Sequence, residues 1–156
     1  MGLFKADLFN VCAPASGRVV ALFEVQDEVF KKKMMGDGLA IEPIDGEFVA
    51  PFDGVVMHLP QTKHSIIIQG ENGISVLVHM GLDTVYLNGS VFHCLVSEGK
   101  AVRCGDLMAK MDLEEVIKKG KSIISPVIVI DKKDAKLKKT DQGVVKKQDL
   151  LFAVQV

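Results

Sequence analysis

Two histidines, His64 and His79, are the residues of this chain whose positions best suit chemistry. Each stands at the end of an apolar run, 65–69 or 74–80, and Gly70-Glu71-Asn72-Gly73 joins the two runs. Asn-Gly supplies the positive φ angles that tight hairpin turns need, so this pattern predicts a β-hairpin. A neutral imidazole near its pKa is a good nucleophile toward phosphorus or carbon. The spacing therefore places a histidine at the open end of each strand, and His79 is the candidate nucleophile.

The register of that hairpin decides whether the two rings meet. A two-residue loop at Glu71-Asn72, or a four-residue loop at 70–73, places His64 directly opposite His79. If Asn72-Gly73 is the turn, the two histidines become diagonal neighbours. Both registers put the rings on one face with Cβ atoms roughly 5 to 8 Å apart. Only a loop with an odd number of residues and a bulge would separate them. We expect a shared face, with Thr62 and Asp83 close by in the sequence.

Strand alternation divides residues 74–80 into two faces. One face is wholly apolar and is expected to pack in the core; it carries Ile74, Val76, Val78 and Met80. The other face carries Ser75, Leu77 and His79, and the expected partners across the hairpin are His64 and Ile66. We therefore predict that His79 points outward, into a partly exposed and mostly apolar depression.

The rest of the chain predicts an all-β fold. Short strand-like runs separated by Gly, Pro, Asp and Asn occupy 18–25, 38–44, 54–59, 91–97, 107–111, 123–130 and 150–156. One or two short helices are expected, at 28–34 and at 112–119, the second with Asp112 as its N-terminal cap. Residues 13–22 share an Ala-Pro-x-x-Gly pattern with 50–59, and 102–107 loosely resemble 145–150. This internal repetition favours a pseudo-symmetric antiparallel β-sandwich or barrel.

Composition narrows the function classes. With 156 residues and 48% hydrophobic content, the chain can bury one good core. The net charge is −1 and just two residues, Arg18 and Arg103, are arginine, which suits nucleic-acid readout poorly. Lysines cluster between 132 and 147, but aspartates interrupt them, which is typical of a solvated surface.

The cysteines and the apolar runs predict the compartment. Cys12, Cys94 and Cys104 are odd in number and form no Cys-x-x-Cys pair, which favours buried thiols in a reducing compartment. No leader opens the chain, and no apolar run approaches the roughly 18 residues of a membrane span. The expectation is a soluble, cytoplasmic protein.

The residues around the two histidines resemble a known family. Thr62-Lys63-His64, followed by His79-Met80-Gly81-Leu82-Asp83-Thr84-Val85, is similar to the active-site block of glucose-type IIA domains of the bacterial sugar phosphotransferase system. The similarity extends over about residues 10–152 and includes both Ala-Pro-x-x-Gly segments. It implies that 1–156 is a single IIA domain.

The resemblance implies a phosphocarrier. His79 would accept a phosphoryl group from phospho-HPr and pass it to a cysteine of the sugar-specific IIB domain. His64 would stabilise the phosphoryl oxygens, and Thr62 would hydrogen-bond to His64. The carbonyl of Gly81 would bind the other ring nitrogen of His79, which leaves Nε2 free to attack. Two acidic residues, Asp83 and Asp27, would lie near the site.

The resemblance also implies how partners dock. Val29, Phe30, Leu77 and Val85 match an apolar rim on which HPr and the IIB domain of the permease would pack, and regulatory targets could use the same rim. The permease would be its one link to the membrane. No cofactor or metal is required, although His64 and His79 could hold adventitious zinc.

Three other functions stay open. Val102-x-x-Gly105-Asp106-Leu107 before Lys110 partly resembles the modified-lysine hairpin of biotinyl and lipoyl domains, but that lysine should sit at an exposed turn. A regulatory binding module without transfer activity would keep its partner affinity without His79. A zinc hydrolase is the third alternative, yet two histidines fall short of three protein ligands.

Overall fold

The computed structural model describes residues 7–132 and 134–155. Within these ranges the chain forms fourteen strands and two short α-helices. The strands are β1 Leu8–Cys12, β2 Gly17–Val20, β3 Gly38–Pro43, β4 Glu47–Val49, β5 Gly54–His58, β6 Ser65–Gly70, β7 Ser75–His79, β8 Phe92–Cys94, β9 Ala101–Val102, β10 Leu107–Met111, β11 Ser125–Val129, β12 Leu137–Lys139, β13 Val144–Val145 and β14 Leu150–Gln155. The helices are α1 Glu28–Lys31 and α2 Leu113–Lys118, and 3-10 turns occupy Leu22–Glu24 and Thr84–Leu87.

The strands form antiparallel sheets around one main core. In the described part of the chain, an eight-stranded sheet has the order β13-β2-β3-β11-β7-β6-β5-β9. Two three-stranded sheets, β1-β14-β12 and β4-β10-β8, complete the fold. Phe152, Phe48 and Ile66 come from the three different sheets and meet in the same fully buried cluster. The predicted all-β, antiparallel sandwich is therefore confirmed.

The predicted pseudo-symmetry is visible in the hydrogen bonds. The Cys12 amide donates to the Pro51 carbonyl at 2.9 Å, and the Val49 amide donates to the Pro14 carbonyl at 2.8 Å. The second pair of similar segments closes against these turns in the same way, through Ala13 N–Asp149 O at 2.6 Å and Ala50 N–Asp106 O at 2.8 Å. The eight-stranded sheet is symmetric too, because β2, β3 and β13 occupy places matching those of β5, β6 and β9.

A second, smaller core lies against the eight-stranded sheet. It contains Val20, Leu22, Val25, Phe30, Ala40, Leu77, Leu82 and Ile128. The predicted strand 18–25 is wrong beyond Val20, because the chain turns into a 3-10 helix that buries Leu22 and Val25 in this cluster. The predicted helix 28–34 is shorter than expected, since it ends at Lys31 and Lys33 adopts a left-handed φ of 55°.

Other elements follow the prediction with shorter bounds. Asp112 caps α2 as expected and accepts a hydrogen bond from the Glu115 amide at 3.1 Å. Strand β8 covers less than the predicted 91–97, while β10 has the predicted bounds. Five strands were not predicted: β1, β4, β9, β12 and β13. Val156, the last residue of one predicted strand, lies outside the described residues. No helix in the described ranges is long and apolar enough to cross a bilayer.

Candidate active site

The loop of the β6–β7 hairpin has an odd number of residues, so the predicted register is wrong. Ser65, not His64, pairs with His79, and Ile67 pairs with Leu77. Gly73 has a φ of 83°, which fits a three-residue loop that ends in a left-handed residue. The shift also moves Ile66 into the main core, where it is fully buried, instead of onto the His79 face.

The two imidazoles nevertheless meet, with ring centroids 5.1 Å apart and planes at 74°. His64 precedes the first residue of β6 and is therefore not bound by strand alternation. A turn places it there: the Lys63 amide donates to the Pro60 carbonyl at 2.9 Å, and Lys63 has a left-handed φ of 59°. The expected juxtaposition is confirmed, but a backbone turn produces it and the hairpin register does not.

The tautomer of His79 is set by one backbone carbonyl. Its Nδ1 lies 2.7 Å from the Gly81 oxygen. A carbonyl oxygen can only accept, so Nδ1 carries the hydrogen and Nε2 of the neutral ring keeps a free lone pair. Burial lowers the pKa of His79, although the Gly81 bond and the carboxylates of Asp27 and Asp83 act to raise it. The site therefore favours a neutral imidazole with a nucleophilic Nε2.

The Gly81 carbonyl depends on glycine and on two buried hydroxyls. Gly81 has a φ of 79°, and a Cβ there would lie 2.6 Å from Thr84 Cγ2 and 2.8 Å from the Ser122 oxygen. Its amide donates a hydrogen bond to the Ser125 hydroxyl oxygen at 3.0 Å, and the Thr84 hydroxyl donates to the Met80 carbonyl at 2.6 Å. We did not predict a role for Ser125 or Thr84. The sequence signal available was Thr84 within the family-like stretch, whereas Ser125 is distant along the chain.

His64 is held by Thr62. The Thr62 Oγ1 lies 2.7 Å from His64 Nδ1, as the resemblance implied. Burial, together with the smaller effects of His79 and His58, lowers the pKa of His64 from its ordinary value of 6.5 to about 4. His64 is therefore neutral at pH 7. When the Thr62 hydroxyl donates to Nδ1, the hydrogen of the neutral ring lies on Nε2 and can be donated to an anion.

The side of β7 that carries His79 is covered by the second core. Phe30 packs edge-on against the His79 ring, with centroids 5.0 Å apart and an angle of 62°. Phe30 and Leu77 are each only 4% exposed, so their predicted place in an exposed docking rim is wrong. Both belong to the buried second core, and Phe30 is the one in contact with the His79 ring. Val29 is 39% exposed and Val85 is half-buried, so these two remain available to a partner.

The predicted acidic residues are brought to the site. Asp27 caps α1 by accepting a hydrogen bond from the Val29 amide at 3.0 Å. Asp83 is exposed, has a left-handed φ of 58° and precedes the 3-10 turn Thr84–Leu87. Both lie near enough for their charges to act on the pKa of His79.

Two alternatives lose support from the geometry. Lys110 lies inside β10, paired with Glu47 and His93, and not at the exposed turn that a swinging cofactor needs. Among the described residues no group of three or more His, Cys, Asp or Glu side chains is arranged to hold a metal ion. A zinc hydrolase would need ligands in addition to the two histidines.

Comparison with known proteins decides the family. The family model for the phosphoenolpyruvate-dependent sugar phosphotransferase system, EIIA 1, matches residues 9–135. The chain belongs to this EIIA family. It is 44% identical over 140 residues to a PTS system glucose-specific EIIA component of Bacillus cereus, which covers 90% of this chain and 85% of that protein.

Other EIIA relatives include a fused protein and a solved structure. A glucose-specific EIICBA component of Staphylococcus carnosus is 42% identical over 145 residues, which is 93% of this chain but 22% of that protein. The glucose permease IIA of Mycoplasma capricolum superposes with a TM-score of 0.91 at 39% identity, over 98% of this chain and 99% of that one. The EIIA fold and the EIIA sequence pattern therefore agree.

Proposed function

We propose that this phosphotransferase-system EIIA component carries a phosphoryl group on Nε2 of His79. The observation that supports this proposal most is the 2.7 Å contact between His79 Nδ1 and the Gly81 carbonyl. It places the hydrogen on Nδ1 and leaves a lone pair on Nε2 before any substrate arrives. The donor is a phosphohistidine of HPr, and the acceptor is a cysteine thiolate of a sugar-specific IIB domain.

The transfer needs placement more than covalent assistance. As His79 Nε2 forms its N–P bond, the N–P bond to the donor histidine breaks, and the donor nitrogen recovers its lone pair. Catalysis of such a step comes mainly from alignment and from stabilising charge on the equatorial oxygens. Since donor and acceptor are both imidazoles, no metal ion or cofactor is required by this scheme. In the onward step the thiolate of IIB displaces His79 in the same way.

His64 and Thr62 stabilise the transferring group. With its Nδ1 bonded to Thr62, a neutral His64 presents an N–H on Nε2 beside the His79 ring. A neutral hydrogen-bond donor is suited to this exchange, because the phosphoryl group must leave again. The proposal assigns His64 to the phosphoryl oxygens and Thr62 to the orientation of His64.

The partners dock on the exposed part of the rim. Val29 and Val85 offer apolar surface beside the site, and Asp27 and Asp83 lie with them near His79. The EIICBA arrangement of the Staphylococcus carnosus relative supports IIB as the acceptor. We propose that residues 1–156 act as one IIA unit in the cytoplasm, where it meets HPr and reaches the membrane through the permease.

Reconstitution with Enzyme I, HPr and labelled phosphoenolpyruvate tests the proposal. The wild type should take up acid-labile label, and His79→Gln should take up none. His64→Gln should accept label but transfer it to IIB poorly. His93→Gln is the matched control, since His93 is exposed on β8 and should behave as wild type. Normal labelling of the His79 variant would overturn the assignment.

Two results would favour the alternatives. A regulatory module would bind its partners unchanged while the wild type accepted no label. A swinging-cofactor carrier would show a permanent mass increase on Lys110 after expression with the corresponding ligase.

A further inference from the structure

Two of the three cysteines lie together in a pocket that the proposed function does not use. Cys12 and Cys104 line a pocket of about 500 Å³ beside Pro51 and Phe52. Glu71 and Asn72, in the loop of the β6–β7 hairpin, line it as well. The pocket therefore lies at the opposite end of this hairpin from His64 and His79. Cys94, the third cysteine, does not contribute to it.

The backbones of both cysteines are fixed to the same turn. The Cys12 amide donates to the Pro51 carbonyl at 2.9 Å. The Cys104 amide donates to Asp53 Oδ1 at 2.8 Å, and the next amide, of Gly105, donates to the Ala50 carbonyl at 2.9 Å. Residues 50–53 thus anchor the end of β1 and the turn before β10. The backbones that carry the two thiols are therefore fixed to one short segment.

The pKa of Cys12 reflects both its burial and the neighbouring thiol. Burial first, then the Cys104 thiol and then Asp149 together raise the pKa of the Cys12 thiol to about 11. Cys12 is therefore protonated at neutral pH and is a poor first nucleophile, because the thiolate is the attacking species.

We propose that Cys12 and Cys104 form a thiol-oxidation site that reacts with small-molecule disulfides. The Cys104 thiolate attacks one sulfur of the reagent, whose S–S bond breaks and releases one thiolate. Cys12 then loses its proton to solvent and attacks the Cys104 sulfur, which releases the second half of the reagent as a thiol. The two protein thiols are oxidised to one disulfide, and the reagent is reduced to two thiols.

The bond would join the end of β1 to the turn before β10. A cross-link between such distant parts of the chain restricts the unfolded state, and it should raise the thermal midpoint by about 5 to 15 °C. Labelling of the distant His79 should not change. This inference is independent of the proposed function, since it concerns different residues and a different reagent.

Alkylation after oxidation tests the site. The full chain is incubated with oxidised glutathione, then denatured, treated with N-ethylmaleimide and weighed intact. The reduced chain has three cysteines and should gain three adducts. The oxidised chain should gain one, on Cys94, after losing two hydrogen atoms, and should remain free of disulfide-linked dimers.

Variants separate this pair from other outcomes. Cys94→Ser should still lose two thiols, because it keeps the pair. Cys104→Ser and Cys12→Ser should form no internal disulfide, and the remaining thiol of the pair should be available to the alkylating agent or carry glutathione. The proposal is overturned if the wild type keeps three alkylatable thiols, ends as a stable glutathione adduct, or needs Cys94 for the reaction.

Discussion

The starts of β3 and β6 occupy matching places in the eight-stranded sheet, third from its opposite ends, yet they carry different chemistry. Asp37 precedes β3 and is held by Lys139 at 2.8 Å and by Lys33 at 3.4 Å. His64 precedes β6 and contacts a hydroxyl and another imidazole. The duplicated scaffold thus has an ion-paired end and an end built from neutral rings.

The pKa values of Asp37 and His64 show how the two strand starts differ. Burial acts to raise the pKa of Asp37, but the hydrogen bonds from Lys139 and the Gly38 amide, with the lysine charges, lower it overall. The carboxylate is therefore stabilised in its charged form. At His64 burial works in the same direction as its neighbours and removes the charge. One end is arranged for stability, and the other keeps a titratable, neutral pair available for chemistry.

The largest effect should come from Gly81→Ala. The new Cβ would meet Ser122 and Thr84 at less than 3.0 Å, in a backbone conformation that disfavours side chains. We expect a loss of roughly 2 kcal/mol or more in the free energy of unfolding, and a large fall in labelling of His79. Urea unfolding and phosphoryl uptake measure both.

Gly73→Ala is the matched control for that substitution. Gly73 also has a positive φ, 83°, but nothing lies within 4 Å of a Cβ there. The substitution should lower the free energy of unfolding by about 1 kcal/mol, from backbone strain alone, and leave labelling of His79 intact. Equal losses of labelling in the two variants would refute the role of the Gly81 carbonyl.

At the start of β6 the sequence predicted the functional residues but not the backbone conformation. The apolar alternation of 74–80 identified the core face, and the residue types identified both histidines. Lys63 could not be predicted as left-handed, because lysine carries no such signal. The three-residue loop competed with three loops of even length that the same Gly and Asn residues allow. The resemblance placed Phe30 and Leu77 in the rim, but both are buried, because the second core forms from segments that are distant along the chain.

Thr62→Val should reduce transfer by about 5- to 10-fold, the equivalent of a lost hydrogen bond of roughly 1 kcal/mol. The variant loses the contact to His64 Nδ1 while keeping the size of the side chain. Thr140→Val is the matched control. The Thr140 hydroxyl accepts a hydrogen bond from the Gln142 amide, and its loss should leave the transfer rate unchanged. Rates of transfer from phospho-HPr to IIB distinguish the two, and identical rates would argue against an orienting Thr62.

Acid titration should affect the two ends in different pH ranges. His64 has a folded pKa below its unfolded value, so the unfolded chain binds its proton first and stability falls as pH drops from about 6.5 to about 4. Asp37 has its folded pKa below 3.8, so its contribution is present above that pH and is lost as pH falls through the folded pKa. His64→Gln should weaken the dependence of stability on pH in the first range, and Asp37→Asn should weaken it in the second. A His64 ring that titrates near 6.5 by NMR would contradict the comparison.

The smallest effect should come from Asp37→Asn at neutral pH. Its partners are partly exposed, so the loss should be about 0.5 to 1 kcal/mol in the free energy of unfolding. Labelling of His79 should be unaffected. A labelling defect would show that the β3 end takes part in the chemistry.

Nε2 of His79 is the atom that we propose to carry phosphorus. Nitrogen NMR of the protein labelled with ¹⁵N-histidine, recorded before and after phosphorylation by Enzyme I and HPr, tests it directly. We expect a proton on Nδ1 of His79 in both states and a phosphorus coupling on Nε2 of His79. A phosphorus coupling on Nδ1, or on either nitrogen of His64, would contradict it.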